Sequence, residues 1–289
     1  MPPPLIVVLD TNHLSDLARE PSAPESAAII GRLERGDTAL GISLFHLLEL
    51  SDPRFKSADN LRALLRAVPN VLANPYENVE DEEMAVACAR ATGLTRRPPR
   101  VWARDTSEWS YHVGPAGGTA VDMLDAFVAM SDEREQVRAF AEYGAQGSMM
   151  KSRAALVREP MLPLTLALQR HIDEQRLRFP GYANALTARE VIERAGGKSA
   201  FPGYQMQESL LDQRMKDPGQ KSTANDVYDE FIAFYAPYAA VTAVDRRTFH
   251  RAQMARVEAV ARMTRHLSEV PRLLDAVVRG DLPVTESAF

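Results

Sequence analysis

The chain has 289 residues, 45% hydrophobic and 25% charged, with a formal net charge of −5. That make-up fits a folded protein with a sizeable core and excludes a uniformly basic nucleic-acid coat, though local basic patches stay open. One cysteine, Cys88, excludes an intramolecular disulfide framework and reads as a small core hydrophobe.

Leu5 to Leu9 is an unbroken aliphatic run, which predicts a strand buried on both faces, as in a parallel sheet. Asn12 to Arg19 and Pro24 to Arg35 read as helices, the second stopped by Gly36. Thr38 to Ser43 predicts a second strand, followed by helical spacing in "SLFHLLELSD" with Ser43 as N-cap. Ser57 to Ala67 reads as a helix and Asn70 to Pro75 as a third strand. Alternating strands and helices predict an α/β sheet. From Pro75 to Gln220 the rhythm breaks into helical patterns (80–92, 121–143, 152–176, 187–195 and 207–215) joined by Pro/Gly-rich connectors, with no strand expected. It returns with a helix at Asp226 to Tyr235, a strand at Ala239 to Val244 and a long basic helix at Arg246 to His266. "SEVPRLLDAVVRGD" closes the pattern with Gly280 as a stop.

The first strand ends on Asp10 and the strand at 239–244 runs into Asp245. Glu49 lies beside a core-facing leucine stripe, and Asp226 and Asp229 open a helix. In a parallel sheet these acids can meet at the carboxyl edge, where open α/β sheets build their sites. Carboxylates gathered there repel unless a cation compensates, and oxygen ligands suit Mg2+ or Mn2+. Such an ion can activate water and stabilise charge on a phosphodiester. Each acid also has a structural reading: Asp10 and Asp245 as N-caps, Asp226 and Asp229 as first-turn acids favouring the helix dipole, Glu49 as a solvated helix residue.

"VVLDTNHLSDL", "HLLEL" and "DEFIA…VTAVDRRTF" together resemble the PIN domain, a family of metal-dependent ribonucleases. The resemblance covers about Leu5 to Ala73 and Ser222 to Leu274. It implies a parallel sheet flanked by helices in a discontinuous PIN-like nuclease domain, 1–74 and 221–289, interrupted by a mainly α-helical insertion, 75–220. It further implies endonucleolytic hydrolysis of RNA, with Asp10, Glu49, Asp229 or Asp226, and Asp245 holding one or two Mg2+ or Mn2+ ions. Thr11 and Asn12 would orient Asp10 or contact water. The insertion departs from the family pattern.

Seven arginines between Arg246 and Arg272 oppose two glutamates. Arg246, Arg247 and Arg251 follow Asp245 closely enough to hold substrate phosphates. "TRRPPRVWARDTSEWSYH" mixes arginines with Trp102, Trp109 and Tyr111, either stacking platforms for single-stranded RNA or anchors of a Pro-rich loop. His46, one turn before Glu49, reads as a packing residue within reach of the cleft, and His13 is open to the same two roles. The expected partners are RNA, with a protein antitoxin or a second copy of the chain left open. No apolar run approaches the roughly 18 residues of a membrane span, and no basic region precedes an apolar stretch at the start, so a cytoplasmic location is expected. The alternatives are a PIN-like module that binds RNA or protein without cutting it, and a phosphatase with Asp10 as nucleophile. The latter needs a second aspartate where this chain has Asn12.

Overall fold

The computed structural model describes residues 3–52, 58–109, 117–130, 162–216 and 223–287. The aliphatic run forms strand β1 (Leu5–Leu9), and Asp10 caps helix α1 (Thr11–Arg19). Helix α2 (Pro24–Glu34) leads to β2 (Thr38–Ile42), α3 (Leu44–Leu50), α4 (Ala58–Ala67) and β3 (Asn70–Ala73). Strand β5 (Val241–Ala243) pairs with the other side of β1. β1, β2, β3 and β5 lie parallel, with Leu9 opposite Ala243. The strand order is β4-β3-β2-β1-β5-β6, so the chain leaves β1 in one direction and returns on its other side at β5. That reversal opens a crevice at the carboxyl ends of β1 and β5.

Two outer strands depart from the expected pattern. β4 (Trp102–Ala103) lies inside the stretch where no strand was expected and pairs antiparallel with β3, which makes the sheet mixed. It is fixed by Trp102, whose ring packs under Gly41: a Cβ at Gly41 would stand 2.8 Å from the indole and 2.8 Å from Ile6. At the other edge, the long basic helix expected to run to His266 stops early. Arg256 takes a left-handed conformation (φ 55°), a short 3-10 turn spans Glu258–Arg262, and β6 (Met263–Thr264) adds parallel to β5.

The expected 75–220 insertion begins with α5 (Tyr76–Ala91) and α6 (Ala120–Ala129), followed by α7 (Leu162–Arg178), α8 (Ala188–Ala195) and α9 (Pro202–Lys216). Positions 131–143 and 152–161 of two expected helices lie outside the described residues, as do Ser57 and Tyr111. The boundary drawn at residue 75 does not coincide with a boundary between cores. Val79, Trp102, Trp109, Leu124 and Phe127 pack into the main core with β1, β2 and β3, so both tryptophans anchor their loop. Met84, Cys88, Leu168, Val191 and Phe201 form a second core. Helix α9 joins a third, placing Met206 and Leu210 against Ala233, Val244 and Ala252. Helices α10 (Ala224–Ala233), α11 (Arg246–Ala255) and α12 (Val270–Val278) complete the fold. Among the described residues no helix is long and apolar enough to cross a membrane.

Candidate functional site

The crevice is built on the first residues past β1. The Asp10 backbone N–H donates to the Ala243 carbonyl at 2.7 Å, holding the end of β1 against β5. Asp10 Oδ1 accepts from the His13 backbone N–H at 2.8 Å and faces His13 Nδ1 at 2.6 Å. His13 Nε2 faces the Arg265 carbonyl at 3.2 Å. An acceptor on each side of the ring favours the doubly protonated imidazole. Burial alone lowers its pKa, but the hydrogen bond to Asp10 and the charge of Asp10 outweigh burial, and the net shift is upward. The other carboxyl oxygen, Oδ2, is buried and has no hydrogen-bond partner among the described residues.

Glu49 reaches the crevice from α3. Ser43 caps that helix, and the His46 Nδ1 accepts from the Ser43 backbone N–H at 2.9 Å. That leaves Nε2–H to donate to the Leu9 carbonyl at 2.6 Å, fixing α3 to the end of β1. Burial pushes the His46 pKa down to about 4, so the ring is neutral near pH 7. The Thr11 hydroxyl donates to Glu49 Oε2 at 2.6 Å. Burial raises the Glu49 pKa, the Thr11 hydrogen bond opposes it, and the charges of Asp10 and Asp52 add to the rise.

Helix α10 brings the next two acids, and they differ sharply. Asp226 is almost fully buried and closes a capping box with Thr223. It accepts from Arg247 and from Arg251, each at 3.0 Å. Burial acts to raise its pKa, but these donors outweigh burial and the net shift is downward. Asp229, one turn on, is pushed well above the ordinary carboxylate range by burial and by the negative charges of Asp245, Asp10, Glu49 and Asp226. All five predicted acids therefore share one electrostatic neighbourhood. The aromatic rings of Phe45 and Phe231 stack at 4.4 Å and set α10 against α3. Asp245 follows β5 and caps α11, with Oδ1 accepting from the Thr248 N–H at 2.6 Å.

Among the described residues, no three His, Cys, Asp or Glu side chains stand as a ready-made metal-holding group. Several of the acids are engaged elsewhere: Thr11 holds Glu49, His13 holds one oxygen of Asp10, and two arginines hold Asp226. The expected phosphate-holding set also divides. Arg251 is buried on Asp226 and lies 4.0 Å from Glu230, so it cannot reach out as expected. Arg247 keeps 41% of its side chain exposed while pairing with Asp226. Arg246 is exposed. Asn12 is exposed on the first turn of α1, whereas Thr11 is buried.

Beside Asp245 lies a cleft of about 1180 Å3 whose lining includes Lys216, Arg246, His250, Arg265 and His266. Arg265 and His266 were not singled out from sequence; they reach this edge because β6 runs parallel to β5, with Thr264 opposite Ala243. His13 carried a signal, since three residues after a helix cap is the position whose side chain can turn back on the cap. No protein-family model, curated protein or solved structure matches this chain.

Proposed function

We propose that the chain is a metal-dependent endoribonuclease of PIN-like design, working at the crevice between β1 and β5. The observation that carries this reading is Asp10 Oδ2, a buried carboxylate oxygen without a partner among the described residues, in a neighbourhood where the charges of four acids disfavour the ionised form of Asp229. A buried carboxylate oxygen left without a donor is costly, and a bound cation would complete it. Carboxylate oxygens alone form a donor set suited to Mg2+ or Mn2+.

Asp10 and Asp229, with Glu49 and Asp245, would hold the ion, which when bound supplies an acidified water and charge neutralisation at the phosphodiester. The chain's own residues supply the rest. Thr11 orients Glu49, His46 ties the start of α3 to the end of β1, His13 holds one oxygen of Asp10, and Asp226 fixes Arg247 at the rim beside the acids. Asp226 acts through these arginines, which favours Asp229 as the third acid.

The test is cleavage of labelled single-stranded RNA with Mg2+ or Mn2+. Cleavage stopped by chelation and by Asp10→Asn is the expected result. The ties on Glu49, Asp10 and Asp226 favour a second reading, a module that binds RNA without cutting it. Binding with no cleavage under either metal would establish that alternative and end the nuclease reading.

A further inference from the structure

We infer that helix α9, which belongs to the segment interrupting the PIN-like pattern, forms one wall of a groove that holds a single-stranded phosphodiester backbone as it leaves the acidic crevice. This rests on the nuclease reading for the direction of the strand, but on independent residues for the groove itself.

The cleft beside Asp245 is larger than the roughly 300–1,000 Å3 of a typical small-molecule pocket, at about 1180 Å3. Its walls come from three elements. Helix α11 contributes Arg246 and His250, the turn after β6 contributes Arg265 and His266, and α9 contributes Gln213 and Lys216. Five permanently cationic side chains line it against two carboxylates, Asp245 and Glu269, on a chain whose overall charge is −5. The cleft beside Asp245 thus carries an excess of positive charge, as an anionic polymer requires.

The arginines divide by role. Arg251 and Arg247 spend their charge on Asp226. Arg246 and Lys216 are exposed and have no ion-pair or hydrogen-bond partner among the described residues, so their charge is available to a ligand. Phe249 and the 60%-exposed Met254 also line the cleft and offer apolar faces to unstacked bases. A duplex hides those bases, so the mixture fits a single strand.

Helix α9 is held where this role needs it. Its buried Arg214 meets Glu230 of α10 at 3.1 Å, and Met206 and Leu210 pack in the core shared with α10 and α11. A Cβ on Gly203 would stand 2.6 Å from the Phe234 ring, so the helix start lies tight against the chain that follows α10. Lys216, two residues beyond Arg214, is therefore carried on a rigid helix.

The test is fluorescence polarisation of a short labelled RNA strand on the full chain with chelator present, across a range of salt. Lys216→Gln and Arg246→Gln should each weaken binding several-fold and lower the salt slope by about 0.7. Arg170→Gln, on the remote face of α7, should change neither. Single-stranded DNA should bind comparably, as backbone recognition requires, and the matching duplex more weakly. Binding unchanged by both substitutions, or a duplex bound as tightly as the strand, overturns the groove. Because no metal is present, the two readings fail separately. Lys216-dependent binding without any metal-dependent cleavage sinks the nuclease and supports the groove. Metal-dependent cleavage with binding indifferent to both Lys216→Gln and Arg246→Gln sinks the groove and spares the nuclease.

Discussion

The Thr11 hydroxyl donates to Glu49 Oε2 across 2.6 Å, joining the helix that follows β1 to the helix that follows β2. Two acids from separate strand–helix units are thereby kept in one crevice, because Thr11 is the immediate neighbour of Asp10. Thr11→Val keeps the shape and removes the donor. If Glu49 serves a metal, losing its orienting partner should lower metal affinity or activity by roughly 10–100-fold. The thermal midpoint should move little, since Glu49 is only partly buried and water can replace the hydroxyl. Unchanged metal dependence would place Glu49 outside the working set.

Asp226 and Asp229 stand one turn apart on α10 and should respond in opposite ways. Asp226→Ala removes the nearer of two carboxylates facing the buried Arg251 guanidinium, with Glu230 left at 4.0 Å, and should destabilise by about 1–3 kcal/mol. Asp229→Asn removes a half-buried carboxyl whose ionised form four acids disfavour, and should stabilise the metal-free protein by about 0.5–2 kcal/mol while abolishing cleavage. Urea titrations of both variants check the pair. Destabilisation by Asp229→Asn would mean that its carboxylate is already compensated.

Gly41→Ala tests the sheet edge. The new methyl would press on Ile6 and on the Trp102 ring at 2.8 Å. Overpacking of this kind costs about 1–3 kcal/mol. The denaturation midpoint should fall, and tryptophan fluorescence should report a displaced indole.

Glu83 gives the protein a pH-dependent stability. It is fully buried, and burial lifts its pKa to about 7 against the opposing hydrogen bonds from Tyr238, Gly203 and Tyr204. The native state therefore keeps a proton that the unfolded chain releases from about pH 4.5 upward. The contribution is complete below that value and is lost as pH rises towards 7, a change of order 3 kcal/mol. Glu83→Gln cannot ionise. Its stability relative to the parent should rise across that window, whatever fixed offset arises where the new amide faces the Tyr204 N–H. A constant difference from pH 5 to pH 8 would show that the three donors keep Glu83 ionised.

The four inner strands were legible because each is a short, almost wholly buried and mostly apolar run, broken only by Thr38, Gly41, Asn70 and Thr242. β4 was not: Trp102 and Ala103 become a strand only by lying opposite Ala73 and Leu72, a pairing no local pattern encodes. The basic helix was overextended because Val257 to Met263 keep helical spacing, while Arg256 turns left-handed and lets β6 reach β5. The acids at strand ends could be read directly, since a parallel sheet fixes where strand ends go. The arginines could not. Whether Arg251 faces a phosphate or Asp226 depends on how α10 packs on α11.

The two-residue strand β4 has a consequence for the molecule's behaviour towards its own copies. Without it, β3 would present an unpaired row of backbone donors and acceptors at the rim of the sheet, a template for edge-to-edge association. Trp102, locked beneath Gly41, holds a short antiparallel cover in place there. One indole seated in the core thus serves as a guard against fibril-like pairing at a rim on the far side of the sheet from β5 and β6.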